Sequence, residues 1–340
     1  MKAAVINRFG GPEVFEYTDV ADPTPREGYT IVKVLACGIN RYDLFLRMGG
    51  IQKPTPLPHV MGADIAGEIV DVCGDALGFS PGQRVIVAPG FPLDPADWDA
   101  SPETLSPSYT VTGTTEWGGY AEYVQVPTRF LLADRTGLPA EQVAAVPLVL
   151  VTAVHAVQTL GKIKTGDRVL VQAGASGSGS MCIQLARHLG GRVATTVGSD
   201  AKIKFARACG AELVINHRQE DFAERVAAWT VEPGAGVSGV DVVIDNVGGG
   251  VFAKNLACLK PGGALVNFGL VGGVKDTLNF AGLIFNQHRI LGSMMGTLEE
   301  LRQGLRLIES GHLRPNLDRT FPLSQAAAAH AYIDSRQVQG

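Results

Sequence analysis

Residues 169–190, VLVQAGASGSGSMCIQLARHLG, join an apolar run to an amphipathic one through Gly174, Gly177 and Gly179. The first run reads as a buried strand and the second, from Ser180 to Leu189, as a helix. Glycines at such a junction let the backbone turn tightly and approach a pyrophosphate, whose charge the first amides of the helix meet. The spacing is GxxGxG rather than GxGxxG, so the assignment rests on context.

That context is an alternation. After DRVLVQA come the strand RVATTV, a helix from Lys202, the strand ELVIN, a helix from Asp221, the strand VDVVIDNV, a helix near Phe252 to Leu259 and the strand GALVNFG. Strand and helix in turn predict a doubly wound parallel α/β sheet, a Rossmann domain over residues 130–294. From residue 1 to 129 the pattern is different: short β-rich runs such as YTIVKVLA, DIAGEIVDV and QRVIVAPG, punctuated by Gly and Pro. These predict a strand-and-turn domain, a partly closed barrel. Residues 295–340 hold a helix at Leu298 to Ile308 and a late helix around AAAAH, and are expected to complete that first domain.

The 340 residues are 46% hydrophobic and 18% charged, enough for two domains with cores. A net charge of −4 without a run of Lys or Arg marks no nucleic-acid or membrane footprint. The five cysteines, Cys37, Cys73, Cys182, Cys209 and Cys258, form no CxxC pair, which fits neither a disulfide framework nor a structural zinc cluster and suits a reducing cytoplasm. MKAAVINRFGG lacks an apolar core of signal-peptide length. VAAVPLVLVTAVHAV, from Val143, is broken by Pro147 and His155 and reads as a buried helix too short to span a bilayer.

The end of the second strand of the alternation selects the dinucleotide. Gly198 and Ser199 stand there with Lys202 one turn on, a small and basic set that favours NADP(H). Asp200 keeps NAD open, although an aspartate after a GS step more often serves the first turn of a helix.

MKAAVINRFGGPEVFEYTDV, GINRYDLFLRMGG, LPHVMGADIAGEIVDVCGDALGFSPGQRVIV, GGYAEYVQVP, AGASGSGS and GAELVINHRQEDF occur here in order along essentially the whole chain. Together they resemble the medium-chain dehydrogenase/reductase superfamily, and most nearly its quinone oxidoreductase branch. The resemblance implies a GroES-like catalytic domain beside the Rossmann domain. It also implies cofactor roles for Thr152, for Ser176, Gly177 and Ser178 at the pyrophosphate, and for Gly198, Ser199, Lys202 and His217 around the adenosine and 2′-phosphate. Many relatives have Tyr where His217 stands. Asn246 and Val247, with Phe268 and Gly269, are implied as walls of the adenine and nicotinamide sites.

The departures from the family pattern matter more. Zinc-containing members carry a cysteine where this chain has Asn40, and a His-Glu pair where it has Ala63 and Asp64. Alanine binds no metal, and Cys37, on the apolar run, reads as a core residue. His59, between prolines and apolar residues, reads as structural. The stretch from Pro89 to Tyr120 matches the family's structural zinc lobe in length but contains no cysteine; Trp98, Tyr109 and Trp117 are expected to pack it down. Relatives continue past RxxxG with a strand beginning KVV, whereas this chain stops at Gly340, so that strand is either absent or cut off.

No metal is therefore expected, and simple ketones, which need a Lewis acid or acid, are disfavoured against quinones, enones and enoyl thioesters that spread the arriving charge. Asn40 and Asp43 are the candidate catalytic residues. The Asn40 amide would hold the nicotinamide ribose or the substrate carbonyl, and Asp43 would pair with Arg47 at i+4 to brace the turn. Tyr42 is a further proton-donor candidate. Two alternatives stay open: an alcohol dehydrogenase with an unrecognised zinc, and a non-catalytic NADPH-binding sensor or structural protein. The run DTLNFAGLIFNQHRILGSMM would place an apolar strand at the sheet edge and predicts a homodimer.

Overall fold

The computed structural model describes residues 1–50, 55–231 and 238–340. The chain divides into two compact units: unit 1 holds Met1–Leu148, Thr297–Glu309 and Pro315–Val338, and unit 2 holds Val149–Gly296, Ser310–Arg314 and Gln339–Gly340.

Unit 1 begins with β1 (Lys2–Ile6), β2 (Phe15–Asp19), β3 (Tyr29–Gly38) and helix α1 (Arg41–Arg47). It continues through β4 (His59–Val60), β5 (Asp64–Cys73), β6 (Arg84–Val87), β7 (Gly90–Pro92), β8 (Tyr109–Val111), β9 (Tyr123–Pro127), β10 (Leu131–Ala133) and α2 (Ala140–Ala144). The expected barrel is resolved into three antiparallel sheets, ordered β2-β1-β4, β10-β6-β5-β3-β9 and β7-β8. β3 and β5 are each ten residues long, and two register shifts between them bend the five-stranded sheet. Its inner face is Val32, Ile65, Ile69, Val85, Val87, Val124, Val126 and Leu131. The unit boundary falls after Leu148 rather than after residue 129, because β10 pairs with β6 and Ala144 packs its carbonyl against Gly38.

The apolar run from Val143 is not one helix. α2 ends at Ala144, α3 (Pro147–Ala153) starts afresh with proline at its first position, where a missing N–H breaks no hydrogen bond, and a π-helical stretch follows over Val154–Leu160.

Unit 2 is built from β11 (Arg168–Val171), α4 (Gly177–His188), β12 (Arg192–Val197), α5 (Ile203–Ala208), β13 (Leu213–Asn216), α6 (Phe222–Thr230), β14 (Val240–Asp245), α7 (Phe252–Ala257), β15 (Leu259–Asn267), α8 (Phe280–Phe285) and β16 (Arg289–Gly292). All pairings are parallel, in the order β13-β12-β11-β14-β15-β16. This is the doubly wound order 3-2-1-4-5-6, whose ligand crevice opens at the carboxyl ends of the strands where the order reverses, between β11 and β14. The helices α9 (Leu298–Glu309) and α10 (Ala326–Asp334) belong to unit 1. No helix among the described residues is long and apolar enough to cross a membrane.

Candidate active site

In unit 2 the glycine loop follows β11 directly. Ser176 caps α4: its hydroxyl accepts from the Gly179 N–H at 3.1 Å and donates to the Ala173 carbonyl at 2.8 Å. Gly179 is forced, since a Cβ there would lie 2.3 Å from the Ala173 carbonyl oxygen. The first turn of α4, with Gly177 and Ser178, is half-buried and carries free-standing amides toward the crevice end of the sheet.

Beyond β14, the Asn246 amide donates toward Ser176 Oγ (3.2 Å) and Ser178 Oγ (3.4 Å). Asn246 Oδ1 is buried with no hydrogen-bond partner. Val247 donates its N–H to Asp245 Oδ1 at 2.9 Å, and Phe268 donates its own to the Asp245 carbonyl at 3.0 Å. Gly269 lies so close that a Cβ would sit 2.0 Å from the Asn246 carbonyl carbon. Ser176, Gly177, Ser178, Asn246, Val247, Phe268 and Gly269 thus meet at the carboxyl ends of β11, β14 and β15. An orphaned, buried acceptor beside a helix N-terminus fits a dinucleotide, whose hydroxyls donate and whose pyrophosphate accepts.

Gly198 and Ser199 follow β12, and His217 follows β13. A Cβ at Gly198 would make ordinary van der Waals contact with His217 Nε2 at 3.5 Å and Arg218 Nε at 3.9 Å. Arg218 was not marked by the sequence reading, although it is the next residue in INHRQEDF. Burial, then the Arg218 charge, lowers the His217 pKa. Asp200, the candidate for an NAD-type acidic residue, is committed elsewhere: its carboxylate accepts from Asn216 Nδ2 (2.8 Å) and Gln219 Nε2 (3.1 Å). Lys202 ends the short turn between Ser199 and α5, and Thr152 is buried on α3.

In unit 1, Asn40 caps α1 in extended conformation and bridges two buried carboxylates. Its backbone N–H donates to Asp43 Oδ2 at 2.6 Å, and its side-chain Nδ2 donates to Asp64 Oδ2 at 2.9 Å. The Leu148 N–H meets the other Asp64 oxygen at 2.8 Å. Burial raises both carboxyls to about 7, against the pull of these donors. Cys37 lies behind them in the core, its sulfur within 2.8 Å of where a Gly62 or Gly119 Cβ would be, and burial raises its pKa well above the usual thiol value. His59 is fully buried and donates Nε2–H to the Gly113 carbonyl at 2.8 Å, a structural role.

The expected Asp43–Arg47 brace takes another form. Arg47 reaches away from Asp43, donating to the Gly10 carbonyl (3.1 Å), His330 Nδ1 (3.1 Å) and Asp334 Oδ2 (2.9 Å). Arginine only donates, so His330 Nδ1 must accept and its proton sits on Nε2. Burial and then the Arg47 charge hold His330 down to about 3, so the ring stays neutral. His330 Nε2–H therefore donates to the Tyr120 hydroxyl at 3.2 Å, and that hydroxyl donates to Asp43. The connection from Asp43 to Arg47 runs through Tyr120 and His330, on α10, and it ends on a guanidinium that cannot pass a proton. Tyr42 bonds Thr114 at 2.9 Å.

The stretch from Pro89 to Tyr120 folds as the β7–β8 pair with two short 3-10 turns. Trp98 packs against Tyr29 and edge-on against Phe130, its indole N–H on the Pro92 carbonyl at 3.0 Å. Tyr109 is buried, and Trp117 packs on the cluster around Val5 and Met61.

Residues 26–139 match the profile of the alcohol dehydrogenase GroES-like domain, and residues 177–310 that of the zinc-binding dehydrogenase domain. The chain is 31% identical to 2-haloacrylate reductase of Burkholderia sp, over 99% of this chain and 97% of that one. It is 31% identical to quinone oxidoreductase of Pseudomonas aeruginosa, over 98% and 95%. A solved NAD-dependent alcohol dehydrogenase superposes with a TM-score of 0.92 at 34% identity, covering 100% of this chain and 98% of that one. With the doubly wound sheet, the GroES-like unit and these full-length matches in agreement, the chain belongs to the medium-chain dehydrogenase/reductase superfamily, in its quinone oxidoreductase branch.

Proposed function

We propose that the protein is an NADPH-dependent, zinc-independent oxidoreductase that reduces quinones or other conjugated carbonyls, enones and enoyl thioesters among them. The observation that carries the cofactor half is the unpartnered, buried Asn246 Oδ1 beside Ser176 and Ser178 at the start of α4. Full-length likeness to a 2-haloacrylate reductase, a quinone oxidoreductase and an NAD-dependent alcohol dehydrogenase supports a nicotinamide cofactor. The phosphate preference rests on the approach of Arg218 and His217 to Gly198, with Ser199 and Lys202, and on the prior commitment of Asp200.

The donor set of unit 1 does not fit zinc. Among the described residues no three His, Cys, Asp or Glu side chains converge. Asn40 stands at the family's cysteine position, with one N–H of its amide held by Asp64.

When bound, the nicotinamide supplies a hydride from C4. The Ser178 hydroxyl and the first amides of α4 would hold the pyrophosphate, Ser176 fixing that turn through its cap, while Asn246 Oδ1 would accept from a cofactor hydroxyl and Thr152, Val247, Phe268 and Gly269 would wall the site. In unit 1 the second N–H of the Asn40 amide would be the donor left for a substrate carbonyl, and Asp43 fixes Asn40 through its backbone N–H. A conjugated acceptor delocalises the arriving charge, so a hydrogen bond and a proton from water suffice. Steady-state oxidation of NADPH with a panel of quinones and enones tests the reading: turnover supports it, and tight NADPH binding without turnover would favour a sensor.

We also propose a homodimer formed at the β16 edge. Val274, Phe280, Ile284 and Phe285 are 66–85% exposed there, and Ile290 on the open edge strand is 37% exposed.

A further inference from the structure

Beneath the glycine loop of unit 2 runs a chain of buried polar side chains. Ala173, the second residue after β11, is a non-glycine residue in the left-handed region, with φ +47°. Its N–H donates to Thr196 Oγ1 at 3.0 Å. The Thr196 hydroxyl donates to Gln172 Oε1 at 2.5 Å, and Gln172 Nε2 donates to Asn255 Oδ1 at 2.6 Å. Thr196 and Gln172 are each 2% exposed and Asn255 is 0% exposed. The Asn255 amide lies beside the Asp245 carboxylate and counters the rise that burial causes there. Asp245 in turn accepts the N–H groups of Val247 and Gly248 at 2.9 and 3.0 Å. The hydrogen bonds thus run from Ala173 on the pyrophosphate loop to Asn255, whose Nδ2 is buried near Asp245 without closing a hydrogen bond to it.

Packing alone gives no reason for this chain. Thr196 is buried in a parallel strand, where valine has the same shape and no hydroxyl to satisfy. What the hydroxyl adds is a partner for the Ala173 N–H, in a conformation that an L-residue adopts reluctantly. The direction of the Ala173 carbonyl depends on that conformation, and Ser176 donates to this oxygen with both its N–H (3.0 Å) and its hydroxyl (2.8 Å). If Ala173 relaxed, the cap of α4 would move with it.

We infer that Thr196 is a positioning residue for cofactor binding: it holds Ala173 in the left-handed turn that aims Ser176 and the first amides of α4 at the pyrophosphate, with Gln172 and Asn255 fixing its hydroxyl. The inference rests on the reading of unit 2 as a nicotinamide dinucleotide site.

The test is titration of the full-length protein with NADPH. Thr196→Val is expected to raise Kd about tenfold, the consequence of one buried N–H left without a partner. Thr196→Ser restores the hydroxyl and should bind within about twofold of wild type, a bound set by ordinary mutational scatter. Ala173→Gly in the Thr196→Val background should recover most of the loss, because glycine needs no help to stay left-handed. In turnover, KM for NADPH should rise more than kcat falls. Should Thr196→Val not fold, Gln172→Met breaks the next link and is expected to weaken binding in the same direction. Wild-type affinity in Thr196→Val, or in Gln172→Met where Thr196→Val does not fold, or a Thr196→Val loss that Ala173→Gly leaves unchanged, would overturn the inference. Wild-type protein binding neither NADPH nor NADH would instead overturn the cofactor reading beneath it.

Discussion

The Asn40 side-chain amide donates to the Asp64 carboxylate at 2.9 Å, and the two residues are 9% and 2% exposed. A buried carboxylate that loses a donor bears the full penalty of its desolvation. Asn40→Ala should therefore lower the free energy of unfolding by about 1–3 kcal/mol, measured by denaturant titration at neutral pH. An unchanged midpoint and slope would mean that water replaces the amide.

Burial lifts Asp43 and Asp64 to about 7. Between the ordinary aspartate value, 3.8, and that figure the folded chain holds these protons more tightly than the unfolded one, so stability falls as pH rises through the window. His330 opposes this. Held down to about 3 from 6.5, it is uncharged in the fold while the unfolded imidazole takes a proton, so its contribution rises with pH up to about 6.5. Two carboxyls outweigh one imidazole, each group contributing up to about 1.4 kcal/mol per pH unit. Asp64→Asn should make the slope of unfolding free energy between pH 5 and 6.5 nearly flat, while the parent declines. Equal slopes would show Asp64 ionised at its ordinary pKa.

Arg218 Nε lies 3.9 Å from where a Gly198 Cβ would stand. Arg218→Ala should raise KM for NADPH about 10- to 100-fold, the worth of a charge-assisted hydrogen bond to a 2′-phosphate, and leave KM for NADH near its original value. Parallel losses with both cofactors would remove the 2′-phosphate from the explanation.

Phe285 and Ile290 are 85% and 37% exposed at the sheet edge. Phe285→Asp combined with Ile290→Lys should convert a dimer to a monomer in sedimentation velocity without loss of helix content. A wild-type monomer would refute the proposed pairing.

The fold was legible because its signals are local. Strand and helix alternate within short windows around Gly174, Gly177 and Gly179, and the parallel order of unit 2 follows. Local logic failed where a contact spans the chain. Asp43 and Arg47 stand one helical turn apart and invite an ion pair, yet Arg47 turns to Asp334, 287 residues away, and Asp43 to Tyr120. Tyr120 and His330 are separated by 210 residues, and nothing in AAAAH marks a histidine that burial and Arg47 hold neutral. Arg218 was within reach of the sequence, since it follows His217, but only the approach of both side chains to Gly198 shows what it borders. Ala173 was invisible, because an alanine in a left-handed turn carries no sequence signal.

The central claim is metal-free reduction of a conjugated acceptor with NADPH. The direct test is steady-state NADPH oxidation with a panel of quinones and enones, using protein dialysed against a chelator and checked for zinc by elemental analysis. Full turnover without zinc, a lower KM for NADPH than for NADH, and a large loss of kcat/KM in Asn40→Ala are expected. Activity that disappears on chelation and returns with zinc would contradict it.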